Sequence, residues 1–230
     1  MLALVAVLLT TISSASGFDL RGQATTLDGK QVLYSEVHNV TVDEEGLNKK
    51  VQTEYFKADG TLLGRMTSEF GKSKTVPSIQ FEDLRFKIKE SLRWEGDGDR
   101  VCLRSEKEGE GPKEKCFKAN PKMVAGQGFD NFVKINFQKL IDDTVPLSFG
   151  VVTERDFFSF KGHVKSKPGE VPVRFGIRLS NMFLRMFLDE LVVEYDPITK
   201  HLLSYRGLSN LKSDEGKAQK VWIKYEVRKP

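Results

Sequence analysis

The residues able to do chemistry are few and scattered. His38, His163 and His201 are the only histidines, and none has a second histidine at metal-ligand spacing. A zinc site needs several nitrogen or sulfur ligands converging, so these three give no reason to expect a metal. No Gly-x-Ser-x-Gly elbow, His-Glu-x-x-His helix or glycine-rich phosphate loop is present. The acidic pairs Glu82-Asp83, Asp142-Asp143 and Asp189-Glu190 are the kind that stays solvated on strands and loops. Gly96-Asp97-Gly98-Asp99 lacks the full ligand set of a calcium loop and reads as a hairpin turn. The expected reading is a protein that binds rather than catalyses.

Cys102 and Cys116, the only cysteines, flank the turn-rich Glu108-Gly109-Glu110-Gly111-Pro112 inside two short alternating runs. That is a β-hairpin pattern, and in an oxidising compartment the pair closes into a disulfide across the two arms. No Cys-x-x-Cys redox motif is present.

The elements that position these groups are mostly strands. Val173, Phe175, Ile177 and Leu179 alternate with Arg174, Gly176, Arg178 and Ser180; Val221, Ile223, Tyr225 and Val227 alternate with Trp222, Lys224, Glu226 and Arg228. Such period-two patterning marks antiparallel sheet with one face packed and the other wetted. The wetted faces of the C-terminal strands are basic. They read first as a solvated face with edge-protecting lysines and second as a binding surface. Turn signals recur between the runs, among them Leu27-Asp28-Gly29-Lys30, Ala58-Asp59-Gly60-Thr61 and Asp214-Glu215-Gly216-Lys217, as in a meander of hairpins. From Asp83 to Trp94 the pattern fits strand or helix, and the surroundings favour strand.

Two segments break the alternation. Phe129, Phe132, Val133, Phe137, Leu140 and Ile141 form one stripe of an amphipathic helix over about residues 129–142. Asn136 lies on that stripe and is expected to hydrogen-bond a neighbouring backbone group. Met182-Phe183-Leu184-Arg185-Met186-Phe187-Leu188 predicts a short helix, apolar nearly all round. The fold class that follows is mainly β: one large curved antiparallel sheet or open half-barrel, with one amphipathic helix and one short apolar helix packed on it.

Charged residues make up 30% and hydrophobic residues 39% of the 230-residue chain, as in an ordinary folded domain. A net charge of +4 spread along the chain is not a nucleic-acid footprint. The run Met1-Leu2-Ala3-Leu4-Val5-Ala6-Val7-Leu8-Leu9, followed by small and polar residues, reads as a secretory signal peptide over residues 1–17, cut before Phe18 or before Ser16. It is too short to span a bilayer, so no transmembrane segment is expected in the mature form. Residues 18–230 read as a single β-rich domain, exported and periplasmic.

The segments from Phe129 to Phe137 and from Val193 to Asn210 resemble an uncharacterised family of exported bacterial β-rich proteins. The order of hairpins with a helix laid on the sheet is similar to the lipoprotein-localisation-factor (LolA-like) layout. That likeness implies a curved sheet that shelters acyl chains under helical lids; from the residues themselves no cofactor is expected. The expected function is non-catalytic binding of a hydrophobic or lipid-like ligand in the cell envelope. Phe132 and Phe137 would then form a plug, and Met182, Phe183, Arg185, Met186 and Phe187 an adaptable rim whose arginine meets an anionic head group. The alternative is an envelope interaction protein with a filled core, binding a protein partner through a sheet edge or the basic strand face.

Overall fold

The computed structural model describes residues 16–181 and 190–228. From its start the chain runs outward as a meander: β1 (Gly17–Thr25), β2 (Val32–Val42), β3 (Asn48–Phe56), β4 (Leu62–Glu69), β5 (Ser78–Asp83), β6 (Ile88–Glu95), β7 (Arg100–Lys107) and β8 (Glu110–Lys118). It then crosses to the far edge as β9 (Met123–Ala125) and two helices, α1 (Gly128–Ile135) and α2 (Phe137–Asp142). A second meander returns towards the middle: β10 (Val145–Val151), β11 (Asp156–Val164), β12 (Val173–Leu179), β13 (Leu191–Tyr195), β14 (Leu202–Leu208) and β15 (Lys220–Arg228).

Among the described residues fifteen strands form one open sheet, ordered β8-β7-β6-β5-β4-β3-β2-β1-β15-β14-β13-β12-β11-β10-β9. Every pairing is antiparallel except β9 with β10. The first and last strands therefore lie side by side in the middle, with Gly22 opposite Tyr225.

Twist curls the sheet until its two ends touch through side chains rather than a ladder. Phe117 of β8 meets Phe157 of β11 edge-on at 5.2 Å, and Lys115 pairs with Asp156 at 2.6 Å. Arg155, in the β10–β11 turn, donates to Ser105 Oγ of β7 at 2.7 Å. Inward residues form two packed clusters. One is built around Tyr34, Tyr55, Leu92, Val101, Leu103 and Ile223, the other around Phe132, Val133, Phe137, Leu140, Phe175 and Tyr195. Tyr205 packs against both.

The helices cover the concave side at the β2–β3 turn. Asn131, fully buried, accepts from the Asn48 backbone N–H at 2.8 Å and donates to the Lys74 carbonyl at 2.8 Å. At the other ends of β2 and β3 the β14–β15 segment folds inward, with Leu211 1% exposed and Asn210 donating to Tyr55 Oη at 3.3 Å.

The expected stripe is the buried one: Phe132, Val133, Phe137 and Leu140 all face the core. The single helix expected over 129–142 is instead two, divided at Asn136 (φ −101°, ψ 15°). The Asn136 side-chain amide and its backbone N–H both donate to the Phe132 carbonyl, at 2.9 and 3.0 Å. The backbone bond is the ordinary helical one; the side-chain amide, bonded to the same carbonyl, accounts for the asparagine on the apolar stripe. The stretch from Asp83 to Trp94 is also not continuous. Residues 84–87 are a turn, with Lys87 at φ 48°, and Ile88 opens β6.

Cys102 and Cys116 face each other across β7 and β8 and are joined by a disulfide. Their separation of 14 residues corresponds to a loop-closure contribution of about 3 kcal/mol. Replacing both by serine should lower the unfolding free energy by about that amount, moving the denaturant midpoint down and steepening the transition as the uncrosslinked denatured chain exposes more surface. An unchanged midpoint would show that the hairpin is held by its ladder alone.

Candidate functional site: a buried polar relay and a cationic outer face

Phe132 and Phe137 are each 6% exposed. Phe137 packs edge-on against Phe175 at 5.1 Å and Tyr195 at 6.4 Å, with Lys200 Nζ 5.6 Å from its ring centre. Met182, Phe183, Arg185, Met186 and Phe187 lie outside the described residues. The strands on either side, β12 and β13, bring Leu179 and Leu191 to that connection.

The polar residues that do converge are ones the sequence left scattered. On β2 the inward positions read Tyr34, Glu36, His38 and Val40, so strand alternation turns two ionisable groups into the interior. Glu36 is 3% and His38 8% exposed. Glu36 Oε1 accepts from Tyr225 Oη at 2.6 Å and lies 2.9 Å from His38 Nε2. The other ring nitrogen, Nδ1, lies 2.8 Å from Thr53 Oγ1, and that hydroxyl also accepts from Gln127 Nε2 at 2.7 Å. The chain Tyr225–Glu36–His38–Thr53–Gln127 thus runs from β15 across β2 and β3 to the residue before α1.

Gly22 makes the relay sterically possible. It sits on β1 between its register partners Glu36 and Tyr225. A Cβ there would lie 2.8 Å from Glu36 Cγ, 2.8 Å from Tyr225 Cε1 and 2.9 Å from Ile223 Cγ2. With no side chain on the intervening strand, the Tyr225 hydroxyl reaches the carboxylate two strands away. Burial, with the Glu36 charge adding to it, pushes the phenols of Tyr225, Tyr34, Tyr55 and Tyr205 upward, so all four stay protonated, and Tyr225 is the one that donates to the carboxylate.

Acid, imidazole and hydroxyl in this order resemble an acyl-transfer triad in connectivity. Thr53, however, is 1% exposed and its hydroxyl is already shared with Gln127. The arrangement acts as a tether between sheet wall and helix. Its sequence signal is the pair Glu36, His38 at a spacing of two within an alternating run.

Cations on the outer face are mostly paired with carboxylates, on the second meander Lys165 with Glu190, Arg174 with Glu170 and Arg228 with Glu226. On β3 to β8 cations face carboxylates: Lys50 with Glu69 at 2.9 Å, Arg65 with Glu54 at 3.6 Å, Lys89 with Glu82 at 3.9 Å and Arg93 with Glu114 at 3.0 Å. On β11 and β12 Lys161 stands directly opposite Arg178, both exposed, and neither has an ion-pair partner among the described residues. Farther along, the Trp222 ring has Lys224 Nζ 4.3 Å and the Arg206 guanidinium 5.6 Å from its centre. Leu208 beside them is 42% exposed.

Cavities open at the surface among the described residues. One, of about 330 Å³, is lined by Thr41, Lys49, Lys50, Glu69, Phe70 and Gly71. A second, of about 140 Å³, gathers Arg155, Lys212, Lys107 and Lys113 at the β7–β8 turn. Near the second, Glu90 accepts from Thr153 Oγ1 at 2.9 Å, and burial raises its carboxyl above the ordinary glutamate value of 4.5 despite that bond and the charges of Lys212 and Arg155. A raised folded-state value favours the protonated form, so this stabilising contribution is complete below 4.5 and is lost as pH rises through the raised value. Glu90→Gln should therefore raise stability at pH 7 relative to the parent, with the advantage vanishing at pH 4. Parallel denaturation curves at the two pH values check this, and an equal effect at both would refute it.

Comparison with protein-family models gives no match, and neither does comparison with curated proteins.

Proposed function

We propose that this is a non-catalytic binding protein of the cell envelope whose working surface is the outer face of β11 to β15, docking an acidic protein partner. The observation that carries the reading is the uncompensated pair of Lys161 and Arg178. Like charges directly opposite across a ladder are destabilising; the other meander has Arg100 opposite Lys118, and there Arg100 has a carboxylate, Glu95, at 3.8 Å. A face that keeps them unpaired and carries Trp222, Arg206 and exposed Leu208 on the strands beyond β13 has the composition of an interface core and rim. Packed apolar clusters on the concave side support a filled-core interaction protein. The disulfide is consistent with an oxidising compartment.

The hydrophobic-ligand reading has its own support. Leu33, Phe160, Leu191 and Tyr205 are only half-buried on the concave side. Leu191 follows closely on Met182–Leu188, the expected rim.

Site-specific photo-crosslinking in cells separates the two. A crosslinker at Arg178 should give a discrete adduct that high salt suppresses and Lys161→Glu abolishes. The same group at Gln52, on β3, should give none. Equal labelling at both positions, together with a co-purifying lipid in native mass spectrometry, would replace this reading with the ligand-carrier one.

A further inference from the structure

We propose that the Cys102–Cys116 hairpin is a redox-gated site for a thiophilic divalent cation of the zinc class. The disulfide belongs to neither core cluster, with Cys102 itself buried and Cys116 half-buried. Carboxylates flank it on both diagonals, Glu95 from β6 and Glu114 from β8. One ligand atom from each of Glu95, Cys102, Glu114 and Cys116 falls within 4.8 Å of all the others. Glu95 Oε2 is 3.8 Å from Cys116 Sγ.

In the oxidised state this ground is occupied. The sulfurs are bonded to each other, and Arg93 spans the two carboxylates, 2.5 Å from Glu95 and 3.0 Å from Glu114. That guanidinium, with the Arg100 guanidinium 3.8 Å from Glu95 Oε2, supplies the positive charge that two adjacent glutamates require while no metal is held.

Reduction changes the donor set. A dithiol reductant supplies two electrons and two protons; its own sulfurs join as a disulfide, the Cys102–Cys116 bond breaks and each sulfur takes one proton. A divalent cation then displaces both thiol protons, leaving two thiolates and two carboxylates. That is a four-coordinate S2O2 set for zinc, whose bonds are about 2.3 Å to sulfur and 2.0–2.2 Å to oxygen. Contraction from the present spacing needs rotation of the two glutamates, which are long side chains at the surface, and release of Arg93 to solvent. The β6–β7–β8 ladder holds all four residues in register whichever state the sulfurs are in. The inference is independent of the docking surface proposed above, which lies on the other meander.

The folded protein should be titrated with Zn2+ against a zinc indicator, oxidised and after reduction with a phosphine that does not itself chelate zinc. The expected result is one zinc per chain in the reduced form and none in the oxidised form, with reoxidation expelling the metal. Glu95→Gln and Glu114→Gln keep both cysteines and should each weaken binding by at least about the tenfold that loss of an outer-shell partner costs. Substitution with Co2+ should give a thiolate-to-cobalt charge-transfer band that Cys102→Ser with Cys116→Ser removes. Equal binding by oxidised and reduced protein, no binding by the reduced form, or parent-like affinity in the glutamine variants would each overturn the proposal.

Discussion

Gly128→Ala is expected to destabilise the protein by about 2–4 kcal/mol, against the sign that helix propensity predicts. Alanine ordinarily improves on glycine inside a helix by about 1 kcal/mol. Here the first residue of α1 lies on the backbone of the β4–β5 loop. A Cβ at Gly128 would sit 2.0 Å from the Thr75 carbonyl oxygen, 2.5 Å from its carbon and 2.9 Å from Pro77 Cδ. That backbone cannot swing aside cheaply, because the Thr75 carbonyl accepts from Ala125 N at 3.0 Å and Thr75 Oγ1 donates to the Met123 carbonyl at 2.9 Å. Relief requires α1 to lift away, which strains the Asn131 bonds to Asn48 and Lys74. Gly71→Ala, in the same loop with nothing within 4 Å of its added methyl, is the control and should be near neutral. Denaturant midpoints for the two variants decide the matter; equal values would show that α1 is not seated as described.

Glu36→Ala is the second large effect. The substitution leaves the His38 Nε2 and Tyr225 hydroxyl positions without their acceptor inside the fold, and stranding buried hydrogen-bonding groups in this way costs about 1–3 kcal/mol for each. Glu36→Gln retains one acceptor oxygen and should cost less, about 1–2 kcal/mol. Glu36→Ala combined with Tyr225→Phe should be clearly less damaging than the sum of the two single changes, since the second removes a group the first has stranded. A Glu36→Ala variant within 1 kcal/mol of the parent would show that water satisfies the relay, and that it does not tie α1 to the sheet.

Period-two patterning made the sheet legible, because a wetted face and a packed face leave opposite marks on alternate residues. Asn136 was legible as a backbone-bonded residue for the same kind of reason, since a polar group on an apolar stripe needs a partner nearby. The break at that residue was not, because the stripe continues through it. The relay was obscured because Gln127 and Tyr225 are about 100 residues apart in sequence and meet His38 only once the far edge has folded over. Gly22 carried no signal at all: its meaning depends on which side chains flank it, and register is a property of pairing, not of spacing. The basic cast of the C-terminal strands was readable, whereas the pairing of Lys161 with Arg178 needed the ladder.

The placing of β1 beside β15 has a consequence in time. Both meanders consist of hairpins between neighbours in sequence, and such contacts form on the microsecond scale, about 1–10 μs each. The seam that joins them brings together residues 19 and 228, the longest-range pairing in the sheet. Two locally assembled halves must therefore wait for the last strand before either is complete, and high contact order slows that closing step. Until then β1 waits with one side unpaired, and a chain arrested before Lys220 presents the middle of its sheet as an open edge.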